Sequence, residues 1–142
     1  MVLSLKQTRA IVDGCLEKAR ELELKPVSVV LLDARAVLVG ALSEDGVSRL
    51  RPSIAQGKAN AAISMGMGTR ALKDRAEQQG YFIQAINGLS GGDFVPVPGG
   101  VLILDADGAL LGAVGISGDT SDNDEAAAVA GITAAGFSAG TG

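Results

Sequence analysis

A chain of 142 residues, 47% hydrophobic but only 3% aromatic, is long enough for one domain whose core is built from Ala, Val, Leu and Ile. Its formal net charge of −4, with no patch alternating cations and aromatics, speaks against nucleic acid as a partner. The single cysteine excludes an internal disulfide, and the lack of any histidine excludes Ser-His-Asp and Cys-His catalysis, His-ligated zinc and His-ligated haem.

The start, MVLSLKQTRAIVDG, has no uninterrupted apolar core of the signal-peptide kind, and no stretch approaches membrane-spanning length. A soluble cytoplasmic protein is therefore expected. Residues 4–23 carry Leu5, Ile11, Cys15, Leu16, Ala19 and Leu22 at largely helical spacing, with Ser4 as N-cap. PVSVVLLD (26–33) is short, β-branched and apolar, as a buried strand is, and Asp33 to Ala36 turn it into a second strand, VLVGAL. SEDGVSRLR reads as a loop. Pro52 then opens a helix, PSIAQGKANAAIS, because its missing N–H costs nothing at the first position. That helix should yield at MGMGT to a second, TRALKDRAEQQ, with Thr69 as its cap.

YFIQAINGL is expected to add a short helical turn, and the breakers in SGGDFVPVPGG mark a loop. VLILDADGALLGAVGIS reads as a second hairpin turning at Asp107-Gly108. Asp122 and Glu125, three apart, resemble a capping arrangement for a last helix over about 123–135. SAGTG is expected to be a loose tail. Hairpins alternating with helices give an α+β class: an antiparallel sheet flanked by helices, in a single domain spanning 1–142.

Three stretches together carry a family resemblance. They are the first helix with VSVVLLDARAVLV, then EDGVSRLRPSIAQGKANAA, then LSGGDFVPVPGGVLILDADGALLGAVGISGDTSDNDEAAAVAG. The last is the most specific: Pro-Gly-Gly, Gly-Ala-Val-Gly-Ile-Ser-Gly, and acidic residues opening an alanine-rich helix. In this order over nearly the whole chain they resemble the GlcG/HbpS proteins, the DUF336 haem-binding family that includes the C-terminal domain of PduO-type proteins. The resemblance implies about five antiparallel strands flanked by helices, and assembly into homo-oligomers. The roles it implies are varied: haem binding and redox sensing, corrinoid-related roles, and accessory functions in glycolate or aromatic catabolism. The zero-histidine composition disfavours haem here. Cys15, Met65, Met67, Tyr81 and Lys58 are the remaining candidate iron ligands, and Cys15 reads better as a buried structural thiol.

Lys58 matches the Lys-Ala position of the resemblance and lies on a helix whose Ala55, Ala59 and Ala62 form a small-residue face. It either binds a carboxylate, acts as a base once desolvated, or lies exposed along its helix. Arg51 and Arg49 offer guanidinium forks for a substrate carboxylate, or belong to a solvated loop. Asp45 either organises the turn with Gly46 or contacts a ligand. The amides of Gly99 and Gly100 present a possible anion nest. Ser117-Gly118 ends a strand where Asp119, Asp122, Asp124 and Glu125 gather. These acids cap the following helix and repel phosphate, while Asp124 or Glu125 is the candidate proton acceptor.

Three functions stay open on these residues. The first is a cytoplasmic small-molecule-binding protein accessory to a catabolic pathway, with a pocket for a small organic acid or a tetrapyrrole. The second is an isomerase, tautomerase or lyase using Lys58 and a carboxylate for proton transfer. The third is a structural or interaction protein without ligand. No metal site, nucleic-acid partner or membrane partner is expected.

Overall fold

The computed structural model describes all 142 residues. Ser4 closes a capping box with Gln7 and starts α1 (Leu5–Glu21). β1 (Ser28–Asp33) and β2 (Leu38–Ser43) form the first hairpin, whose turn is tied by Asp33 accepting the amides of Arg35 and Val37. α2 (Arg51–Met65) has Pro52 in its first turn and ends on Gly66, left-handed at φ 68°. α3 (Thr69–Gln78) and α4 (Gly80–Leu89) follow, then the second hairpin, β3 (Gly100–Leu104) and β4 (Leu110–Ser117). The chain closes with α5 (Ser121–Ala134) and β5 (Ser138–Gly140). No helix is long and apolar enough to cross a membrane.

The five strands form one antiparallel sheet in the order β2-β1-β4-β3-β5, so the two hairpins dock through β1 and β4. Alternate residues face opposite layers. On one face Val29, Leu31, Val101, Ile103, Val114 and Ile116 pack under α1 and α5 in the main core, which includes Ile11, Cys15 and Ile132. On the other, Val30, Leu32, Leu102 and Ala113 pack under Ala55, Ala59 and Ala62 of α2. α3 and α4 close a smaller cluster around Leu72, Ile83 and Phe94. The fold is α+β.

Small residues set how closely α2 lies on the sheet. A Cβ at Gly115 would overlap the carbonyl of Ala55, so helix backbone rests on strand backbone here. This contact explains how a core almost free of aromatics still packs densely.

Four local expectations are corrected. The expected loose tail pairs as β5 along the free edge of β3, because that edge offers unpaired backbone groups. YFIQAINGL belongs to a ten-residue helix, held by Ile83 and Phe94 in the satellite cluster. α5 starts earlier than expected and is capped by Thr120, whose hydroxyl accepts the Asn123 amide; Asp122 and Glu125 instead reach Arg70. Thr69 does not cap α3, since Gly68 holds that position; its buried hydroxyl bonds Gly100.

Candidate functional site

Two cations on α2, seven residues apart and therefore two turns along one face, reach the end of β4. Lys58 donates to the Ile116 carbonyl at 2.8 Å and to Asp124 Oδ2 at 3.2 Å. Arg51 donates to Ser117 Oγ at 3.1 Å. The first contact is sealed: the side chains of Lys58 and Asp124 are 2% and 1% exposed. Far from lying exposed along its helix, Lys58 is among the largest fully buried side chains of the protein.

The seal is completed from the loop before β3. Gly99 sits at φ +123°, and a Cβ there would lie 2.7 Å from Lys58 Nζ and 2.8 Å from the Ile116 carbonyl. Glycine is required both by the backbone angle and by this approach. The neighbouring Gly100 amide donates to Thr69 Oγ1 at 2.8 Å, and Ile116 donates to the Gly99 carbonyl at 2.9 Å. The Gly100 amide is thus already committed inside the fold.

Asp124 ties the pair to the turn that starts α5. Its Oδ1 accepts the Asp119 amide at 2.9 Å while Oδ2 faces Lys58. Asp119 in turn accepts from the amides of Lys25 and Thr120 and from the Asn123 side chain, which together hold its carboxyl down at about 2. Burial pushes the Lys58 ammonium below its ordinary range, against the upward pull of Asp124. No buried side-chain polar atom in the protein lacks a partner. The Lys58–Asp124 pair is therefore a satisfied network, and neither residue lines any of five surface cavities.

Arg51 is different. It lines a cavity of about 220 Å³ together with Lys25, Pro26, Gly46, Val47, Ser48 and Gly118. Arg51 and Lys25 form no ion pair, and no carboxylate lines the cavity. The N-terminus of α2 opens nearby without a side-chain cap on Leu50 and without an acid in its first turn.

The remaining candidates are spread around this centre. Asp45 is exposed and lines a neighbouring cavity with Arg20, Pro26 and Glu44. Glu125 is engaged elsewhere: it accepts from Arg70 Nε at 3.0 and 3.1 Å, joining α5 to α3. Arg49 is exposed in the loop before α2. Sequence reasoning missed Thr69 and Lys25. Thr69 stands where a helix cap would, and nothing local marks Lys25 as lining a cavity with Gly46, Val47 and Ser48, some twenty residues on.

A family model described as "Haem degrading protein HbpS-like" matches residues 3–133. The chain belongs to the HbpS-like family. Solved structures extend the likeness along the whole HbpS-like chain. The PduOC–haem complex is 27% identical with a TM-score of 0.87, over 99% of each chain. A Streptomyces reticuli HbpS double mutant is 25% identical with a TM-score of 0.78, over 94% of this chain and 86% of that one. Klebsiella pneumoniae ORFY, a DUF336 protein, is 21% identical with a TM-score of 0.83, over 94% and 90%, and shares the fold. A comparison with curated proteins finds no match.

These relatives make haem the group to fit against the residues present. There is no histidine. Cys15 is fully buried in the main core, and burial pushes its thiol up to about 12. Met65 and Met67 pack against the satellite cluster, and Tyr81 is 75% exposed on α4. None of these four lines any of the same five cavities.

Proposed function

We propose that this chain is a small-molecule-binding protein that takes a small organic acid in the cavity between Lys25, Ser48, Arg51 and Gly118. The observation that carries this reading is the lining itself: the cations Arg51 and Lys25 and no acid around a concave space of about 220 Å³, with Asp119, outside the lining, attracting Lys25. A carboxylate there would meet a guanidinium fork already oriented by Ser117, close to the positive end of α2. The haem-binding relatives support small-molecule binding in general, while the donor set of this chain does not fit a resident haem. A tetrapyrrole is accordingly disfavoured as the ligand.

Proton-transfer chemistry on Lys58 has less support, because the amine is closed off by Gly99, Ile116 and Asp124 and its side chain is 2% exposed. The proposal retains the accessory role in catabolism and homo-oligomeric assembly, both resting on the family likeness. It also keeps the cytoplasmic setting expected from the sequence.

The test is a thermal-shift panel of small mono- and dicarboxylic acids on the native protein and on Arg51→Ala. An acid at a hundred times its Kd stabilises by about 2.7 kcal/mol, which is a rise of roughly 5–10 °C in a chain of this size. That rise should be lost in Arg51→Ala while its circular dichroism stays native. A panel with no hit, or a hit of equal size in Arg51→Ala, would refute the assignment.

A further inference from the structure

A second cavity, of about 340 Å³, lies on the other side of the α2 N-terminus between β2 and α2. Its lining has the opposite polarity. Val30, Leu38, Ala41 and Pro52 form an apolar wall, and Ser53, Gln56 and Asp93 supply the polar groups. No lysine or arginine lines it, and Asp93 takes part in no ion pair.

The carboxylate of Asp93 is held in place by its backbone. Asn60 Nδ2 donates to the Asp93 carbonyl at 2.7 Å, and the Val95 amide donates to the Gly57 carbonyl at 3.1 Å. Gly57 allows this segment to lie directly on α2, since a Cβ there would come within 2.6 Å of Val95 Cγ2. The only side-chain bond to the carboxylate is a long one from Gln56 Nε2, at 3.5 Å. Most of its acceptor capacity is therefore unused, beside a hydroxyl and an amide oxygen that can also accept.

We propose that this cavity binds a small aliphatic ammonium ion. The chemistry follows from the lining. An ammonium carries three donors, and Asp93, Ser53 and Gln56 present three acceptor groups, one of them charged. A short alkyl chain behind the ammonium would cover Leu38, which is 52% exposed. A carboxylic acid is rejected here by Asp93, and a neutral alcohol forgoes the charge-assisted bond. The site is independent of the acid pocket, because Arg51 and Lys25 do not line it.

The test is a calorimetric titration of the full chain with n-butylammonium, n-butanol and n-butyrate, at constant ionic strength. Butylammonium is expected to bind saturably, with a Kd on the order of 1 mM for so small a ligand. Butanol is expected to bind at least about tenfold more weakly and butyrate not at all. Asp93→Asn, which preserves size, should weaken butylammonium at least about tenfold. Leu38→Ala should weaken butylammonium more than methylammonium, a split that a general loss of folding does not give. Arg51→Ala should change neither, which separates this site from the acid pocket. The proposal is overturned by the lack of saturable butylammonium binding, by equal binding in Asp93→Asn, or by butanol binding as tightly. It is equally overturned if a second copy of the chain covers the cavity, seen as an Asp93→Arg variant that changes oligomeric state.

Discussion

Replacing Lys58 by Met removes the ammonium but keeps most of the stem that fills the space under β4. Two donated bonds disappear, at 2.8 Å to the Ile116 carbonyl and at 3.2 Å to Asp124. Asp124 is left as a carboxylate at 1% exposure, whose one remaining bond is from the Asp119 amide. Stranding one member of a buried pair costs about 3–5 kcal/mol. At roughly 2–4 °C per kcal/mol, the melting temperature should fall by about 6–20 °C. Asp124→Asn should cost less, because it keeps an oxygen for the Asp119 amide and Lys58 can shed its proton. Burial already sets the Lys58 pKa below 10.5 in the folded state, so between that lowered value and 10.5 the unfolded chain binds more protons. Stability therefore rises with pH across that window. Asp124→Asn removes the upward pull of Asp124 and lowers the Lys58 pKa further, so its penalty should shrink as pH climbs to the native protein's own lowered value and stay constant above it. Urea unfolding of both single variants and of the double variant closes the cycle. The double variant should be at least about 1 kcal/mol more stable than the sum of the single losses implies. A Lys58→Met cost below about 1 kcal/mol, with no coupling, would refute the view of this pair as the pin between α2, β4 and α5.

Three further outcomes follow from the geometry. Gly115→Ala should destabilise by about 3 kcal/mol in urea unfolding, because the new methyl meets the Ala55 carbonyl rather than a side chain that can turn away. Asp119, depressed from 3.8 to about 2 by its bonds to Asn123, Lys25 and Thr120, contributes stability that is full above about 3.8 and lost as pH falls towards 2. Asp119→Asn should flatten the melting-temperature profile across that interval. Added hemin should give no saturable shift of the Soret band; a shift abolished by Tyr81→Phe would overturn this by making the exposed Tyr81 an iron ligand.

Local chemistry made much of the fold legible in the sequence. Ser4 with Gln7, Asp33 before Ala36, Pro52, and Asp107-Gly108 each act over a few residues, so their patterns can be read without knowing what lies across the fold. β5 has no such pattern. Ser-Ala-Gly becomes a strand because β3 leaves an edge to pair with, which only the assembled sheet reveals. The cap of α5 is not legible locally, because Asp122 and Glu125 have the spacing of a cap, yet Arg70 draws both aside. At the site, Lys58 among alanines fits burial and exposure equally well. Its partner Asp124 lies 66 residues away, as does Ser117 from Arg51, and no local rule spans that distance.

The two cations of α2 divide the work because one helix face runs from the surface into the core. Arg51 stands at the mouth of the helix and stays half-buried beside an open cavity, while Lys58, two turns deeper, is sealed by Gly99 and Asp124. Their targets are consecutive residues, Ser117 and Ile116, at the end of β4. A ligand that draws Arg51 off Ser117 thus acts one residue from the carbonyl that Lys58 pins. A rigid pin at that point keeps the cavity wall of Gly118 in place whether or not Arg51 is engaged, so the lining residues can change without disturbing the sheet. The same helix face thus carries one cation committed to the core and one left beside a cavity.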